Sequence, residues 1–301
     1  MNPYHRFVSD FERLLRDGRQ LPLGQFAAPA RPALAPDAPR VLIFSPHPDD
    51  ECIIGGIALR LLRESGMRVL NVAVTQGSNK ERQAARWSEL KAACEYLGFG
   101  LIQTAPAGLE RVNVKTRERD RAHWKTCVDV IAAIVREQQP AVVLFPHDDD
   151  WNSSHIGTHH LIMDALAAQA PEFACDVVET EFWGAMATPN LMVESSAEDV
   201  ADMMTALSFH VGEVQRNPYH LLVPPWMMDN VRRGSELVGG QGGAAPDFAF
   251  CTLYRLRRWS AGRLHPIHEG GKIVPAGPGA PRVASALSGI HGAATASGDP
   301  A

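Results

Sequence analysis

Two short apolar runs, Val41-Leu42-Ile43-Phe44 and Val142-Val143-Leu144-Phe145, each break off into a polar cluster. Runs without polar alternation fit strands of a parallel sheet covered on both faces. From residue 40 they alternate with helical periodicity: strand 41–45, helix 53–64, strand 68–75, helix 80–97, a short strand near Leu101, a helix over 119–137 and strand 141–145. Such alternation implies βαβ units with right-handed crossovers. The predicted fold class is therefore α/β, a doubly wound, mostly parallel sheet sandwiched by helices in a single catalytic domain. Downstream, the spacing predicts a helix from His155 to about Ala168, period-2 strands at 177–183 and 248–256, and helices at 197–209 and 226–238.

The two ends read differently. Phe7, Phe11, Leu14 and Leu15 recur at helical spacing and predict a short docking helix over residues 5–17, followed by a Pro/Ala-rich connector from Leu21 to Pro39. The expected organisation is residues 1–39 as this helix and connector, 40–265 as the catalytic domain, and 270–301 as a disordered Gly/Ala/Pro-rich tail with little to bury.

Composition narrows the function classes. The chain has 301 residues, 45% of them hydrophobic, and a net charge of −5 that gives no electrostatic footprint for nucleic acid. No run of about 18 apolar residues suggests a membrane span, and the first residues lack the apolar core of a signal peptide, so a cytoplasmic protein is expected. The five cysteines, at 52, 94, 127, 175 and 251, are scattered without a Cys-x-x-Cys pair, which argues for buried thiols rather than a cysteine metal site. A homo-oligomer is neither required nor excluded.

Candidate chemistry sits where the strands end. Pro46-His47-Pro48-Asp49-Asp50-Glu51 follows the first apolar run, and ligands of such sheets bind beyond the carboxyl ends of the strands. His47 and Asp50, three positions apart, can converge on one divalent ion, and imidazole with carboxylate suits zinc, which in hydrolases takes three protein ligands and leaves room for water. An acidic turn of this kind could equally cap a helix. The second cluster, Pro146-His147-Asp148-Asp149-Asp150-Trp151-Asn152-Ser153-Ser154-His155, can supply the third ligand if the two strands are neighbours. His147, His155, His159 and His160 compete for that role; His155 and His159 share a helix face, His160 is turned away by about 100°, and His147, directly after the strand, is expected to fasten the loop.

These residues resemble the signatures of the PIG-L / LmbE-like zinc-dependent de-N-acetylases. The first motif, Pro-His-Pro-Asp-Asp-Glu, stands complete at 46–51, and the second matches at Pro146-His147, Asp150 and His155. Asn152 and Ser154 depart from it, standing where the family commonly has histidine and aspartate. Thr75-Gln76-Gly77 and the stretch from Arg86 through Glu89 to Leu97-Gly98 resemble two further family segments. The resemblance spans about residues 40–170 and implies a Rossmann-like three-layer fold. It also implies an enzyme that removes the N-acetyl group of an N-acetylglucosamine-type sugar or its conjugate by attack of a zinc-bound water. His47, Asp50 and His155 would bind the zinc, or another divalent transition metal, and Asp49 would be the general base. With Asn152 in place of the usual oxyanion-stabilising histidine, His159 is the preferred substitute, Asn152 itself retaining a hydrogen-bond donor. Arg86, Gly77, Asp150 and His210 are assigned to the substrate pocket together with Glu51, whose expected part there is to brace the turn or cap the helix rather than to react. An amidase acting on another small conjugate, or a metal-bearing sugar-binding protein without catalysis, is the alternative.

Overall fold

The computed structural model describes residues 2–287. An amphipathic helix, α1 (Pro3–Gly18), leads through an irregular segment to β1 (Arg40–Ser45). The chain then runs α2 (Asp50–Ile53), α3 (Gly56–Ser65), β2 (Arg68–Ala73), α4 (Gln83–Leu97) and β3 (Gly100–Gln103). Next come α5 (Val114–Arg119), α6 (Arg121–Gln138), β4 (Val142–Pro146), α7 (Ser153–Ala167), β5 (Cys175–Thr180) and β6 (Leu191–Glu194). Three helices follow, α8 (Ala197–Ser208), α9 (Val211–Val214) and, after a 3₁₀ turn at Tyr219–Leu222, α10 (Val223–Leu237). The last strands are β7 (Cys251–Ser260), β8 (Arg263–Pro266) and β9 (Lys272–Val274).

All strands join one sheet of order β3-β2-β1-β4-β5-β7-β6-β9, with β8 paired to β7. The first five in that order are mutually parallel, and β7 is antiparallel to β5, β6 and β8. The fold is thus mixed α/β, a single domain with a central, mostly parallel sheet flanked by helices. Side-chain alternation builds the three layers: Val41 and Ile43 pack with Ile57, Leu61, Leu90 and Ala206, while Leu42 and Phe44 face the other way into Trp124, Ile131, Leu161 and Ile162. Both faces of β1 are therefore dry, which is why its sequence lacks alternation.

Strands β1 and β4 are neighbours in register, Val41 beside Val142 and Ile43 beside Leu144. The chain leaves β1 toward β2 on one side, and β4 lies on the other, so the crevice where ligands bind in such sheets opens between the two polar clusters.

One expectation is corrected here. Residues 272–287 are not a structureless tail: β9 pairs with β6, and Val283, Ala286 and Leu287 are buried. Buried Arg60 holds this stretch by donating to the carbonyls of Val274 and Pro275, and the Val283 N–H donates to Glu64. The rest of the expected tail lies outside the described residues. Helix α1 forms as expected, with Asn2 accepting from the Tyr4 N–H at its start; its last turn lies against the body, Gly18 beside the Leu221 side chain, while its first turns stay exposed. Among the described residues no helix is long and apolar enough to cross a membrane.

Candidate active site

The turn after β1 is built by Pro46 and Pro48, whose rings fix φ on either side of His47. Thr75, just past β2, ties it down: its hydroxyl donates to the Pro46 carbonyl at 2.7 Å. Asp49 then takes a left-handed backbone conformation, φ 118° and ψ −29°, uncommon for a residue with a Cβ and costing on the order of 1–3 kcal/mol. Neighbours hold it there. Its N–H donates to Glu51 Oε2 at 2.9 Å, and its Oδ2 accepts from the Tyr219 hydroxyl at 2.7 Å. Arg86, on α4, lies 3.5 Å from the same oxygen and donates to the Pro48 carbonyl at 2.9 Å. Asp50 closes the turn by accepting from the His47 N–H at 2.8 Å.

Across the crevice Asn152 caps α7, its Oδ1 accepting from the Ser154 N–H at 2.9 Å, and His155 follows in the first turn. Asp150 stations that imidazole: Oδ1 accepts from the Asn152 N–H at 2.7 Å, and Oδ2 lies 3.4 Å from His155 Nδ1. Nε2 of His155 faces Asp50 Oδ2 at 3.5 Å, and His47 Nδ1 faces the same oxygen at 3.5 Å. One ligand atom from each of His47, Asp50 and His155 lies within 4.8 Å of the others. His155 Nε2 is buried without a hydrogen-bond partner. Two imidazole nitrogens, one of them the orphaned His155 Nε2, and a carboxylate, with a second carboxylate behind His155, are a donor set and backing that suit a divalent transition metal. The residues present fit zinc, and equally a related metal of similar ligand preference.

Electrostatics separates the two adjacent carboxylates. Burial, then the charge of Asp50, pushes Asp49 up to about 7, against the opposing pull of His210, Arg86 and Tyr219. Burial acts on Asp50 in the same direction, but His155 and His47 outweigh it and hold the group well below the usual carboxylate range. His155 is pushed up to about 10, because Asp50 and Asp150 overcome the burial that would lower it. Burial and the Asp49 carboxylate raise Tyr219 far above the ordinary phenol value, so it stays a donor.

The crevice continues into a cleft of about 400 Å³ lined by His47, Thr75, Gly77, Lys80, Asn113 and Ser154, among others. On the opposite side, exposed Trp151 stands edge-on to Trp183 at 6.5 Å, and Trp183 is tilted against Tyr219 at 5.8 Å. An aromatic wall thus leads from solvent to Asp49.

Several assigned residues sit elsewhere than the sequence suggested. Glu51 and His210 are fully buried and paired, Oε1 to Nε2 at 2.7 Å, with the Cys52 thiol also donating to Glu51, so this pair braces the Asp49 turn from below and cannot touch a substrate. Asp150 is committed to His155 and Asn152 rather than to the cleft. His159 lies one turn deeper along α7, with Nδ1 at the Pro146 carbonyl (3.1 Å) and near Glu179 (3.5 Å) and its ring edge-on to Phe145. It is away from the His47–Asp50–His155 cluster, and the oxyanion role expected of it has no geometric support. Arg86 faces Asp49 rather than open solvent. Gly77, φ 80°, lines the cleft, where a Cβ would overlap the Arg86 guanidinium. His147, another candidate ligand, is buried with Nε2 at the Gly184 carbonyl and Nδ1 accepting from the Asp149 N–H, a loop fastener. Tyr219 was not found by sequence reasoning; it touches Asp49 across 170 positions and carries no motif.

Residues 42–166 match the family model described as PIG-L, GlcNAc-PI de-N-acetylase. The chain is similar to the 1D-myo-inositol 2-acetamido-2-deoxy-alpha-D-glucopyranoside deacetylase of Mycobacterium leprae, with 26% identity over 49% of this chain and 56% of that protein. It is 28% identical to the diacetylchitobiose deacetylase of Thermococcus kodakarensis over 46% of this chain and 51% of that one. The match thus spans about half the length of these curated relatives. In fold it resembles the N,N'-diacetylchitobiose deacetylase of Pyrococcus horikoshii, with TM-score 0.53 and 18% identity over 87% of this chain and 97% of that chain.

Proposed function

We propose that the chain, whose residues 42–166 match the PIG-L family model, is a metal-dependent hydrolase that releases acetate from an N-acetylglucosamine-type amino sugar or its conjugate. The observation that carries this reading is the convergence of His47, Asp50 and His155 beside a braced carboxylate, Asp49, at the mouth of a cleft. Zinc, or a related cation held by those three residues, supplies a Lewis acid that polarises the acetyl carbonyl and acidifies water.

The chain's own groups do the rest. Asp49, held on Oδ2 by Tyr219, keeps Oδ1 free to take the proton of the attacking water and return it to the sugar nitrogen, without which the amide nitrogen is a poor leaving group. Burial raises Asp49 above the usual carboxylate range, the direction that suits a group that must both accept and give back a proton. Asp150 fixes the tautomer and aim of His155. Asn152, with Oδ1 committed to the helix cap, has only its Nδ2–H₂ to offer a developing oxyanion, where one donor is typically worth about 3 kcal/mol. The Trp151–Trp183 wall provides faces on which a sugar ring can stack.

The reading is tested by acetate release from a panel of N-acetylated hexosamines and their glycosides, with and without a chelator. Chelator-sensitive acetate appearing in step with free amine supports it; tight sugar binding without turnover at full metal loading sinks it.

A further inference from the structure

Helix α1 carries Tyr4, Phe7, Val8, Phe11 and Leu14 along one stripe, and among the described residues these side chains stay exposed, with Leu15 half-buried beside them. Tyr4, Phe7, Val8 and Leu14 are 75%, 69%, 64% and 67% exposed. Beside the helix runs an apolar groove of about 500 Å³, walled by Phe11, Leu14 and Leu15 on one flank and by Val200, Met204, Leu221, Pro224, Met228 and Phe250 on the other. Ridge and hollow thus form one continuous apolar face, larger than solitary surface residues produce and of the kind that marks an interaction site. From this we infer that the α1 face and its groove are the interface through which two copies of this chain pair about a two-fold axis.

Three features favour a second copy over other occupants. Summing the exposed parts of Tyr4, Phe7, Val8, Phe11, Leu14, Leu21 and Met228 gives roughly 700 Å² of side-chain surface per copy, close to what a stable standard-size interface buries on each partner. The spacing Tyr4, Phe7, Phe11, Leu14 repeats as a three-four seam, so an antiparallel pair crossing at Phe11 sets Phe7 opposite Leu15 and Val8 opposite Leu14. An isologous contact uses the ridge and hollow of both copies at once. The polar side of the helix, finally, is charge-balanced, with Arg6 and Arg13 paired to Asp10 and Arg13 also to Asp17, whereas a helix lying on anionic lipid is rich in unpaired lysine and arginine.

The test is the solution mass of the full chain by light scattering at micromolar concentration, together with flotation on phosphatidylcholine/phosphatidylglycerol vesicles. A dimer is expected. The double variant Phe7→Asp, Leu14→Arg should dissociate at least about a hundredfold more readily, each buried charge costing at least one tenfold step, with its fold retained by circular dichroism and its melting temperature lowered only by the lost pairing. All five native cysteines are buried, so Phe11→Cys should cross-link two copies under mild oxidation. A monomeric wild type, a dimer that survives the double variant, or a monomer that floats with the vesicles would each overturn the inference, the last assigning the face to a lipid surface.

Discussion

Replacing Tyr219 with Phe removes one oxygen and leaves the rest of the site in place. Its hydroxyl donates to Asp49 Oδ2 at 2.7 Å, within a site that is mostly buried. A hydrogen bond to a charged group is worth about 1.5–3 kcal/mol, and 1.36 kcal/mol corresponds to one pKa unit, so its loss should raise Asp49 by about one to two units. The sign is set by the ionised form: the donor stabilises the carboxylate, and without it the carboxylate gains a proton at higher pH. The base works only when ionised, so the acid limb of kcat/KM should move up in pH by about one unit or more, with the alkaline plateau far less affected. A cation beside Asp50 lowers both midpoints together, leaving their separation as the quantity to measure. Profiles recorded from pH 5 to about 9 on wild type and variant, at full metal loading, read it directly. A uniform drop at every pH would mean that Tyr219 acts on the substrate rather than through Asp49, and superimposed profiles would refute the contact altogether.

Other consequences follow from the same geometry. Asp150→Asn leaves His155 in place but weakens the carboxylate behind its Nδ1, so metal affinity should fall about 10- to 100-fold, read by competition with a chromophoric chelator. His155 stands at about 10 without a cation and must be neutral to ligate one; metal binding at pH 7–8 should therefore release about one proton, seen by calorimetry in buffers of different ionisation enthalpy, with affinity dropping about tenfold for each unit of acidification. Gly77→Ala places a Cβ on the Arg86 guanidinium at a positive φ, and should cost about 1 kcal/mol or more in stability and lower kcat by releasing the Asp49 brace, measured by thermal melting and acetate release.

The sheet and the side chains that converge at its crevice were legible because both rest on local signals. Dry strands such as β1 and β4 write unbroken apolar runs, and His47, Asp50 and His155 lie within a few residues of strand ends. What escaped depends on long-range packing. Tyr219 and the Glu51–His210 pair are joined across 170 and 159 positions by the way the segment after α8 folds back over the first turn, and no periodicity encodes that. His159 shares a helix face with His155, but one turn of about 5.4 Å carries it past the crevice to Phe145 and Glu179. Glu51 was legible as acidic and close to the site, yet only burial shows that its charge is spent on His210 and the Asp49 N–H. Strand β9 was hidden because three residues in a Gly/Pro-rich stretch leave no pattern, although β6 offers them an edge.

The account turns on one division of labour, in which His47, Asp50 and His155 hold the cation and Asp49 moves the proton. Metal content and acetate release measured on the same preparations of wild type, Asp49→Asn and His155→Ala test it most directly. The expected result is Asp49→Asn with wild-type metal content and acetate release reduced by at least about a thousandfold, at or beyond the middle of the range for losing a general base, and His155→Ala with both lost together. Asp49→Asn retaining wild-type turnover, or His155→Ala retaining full metal, would contradict it.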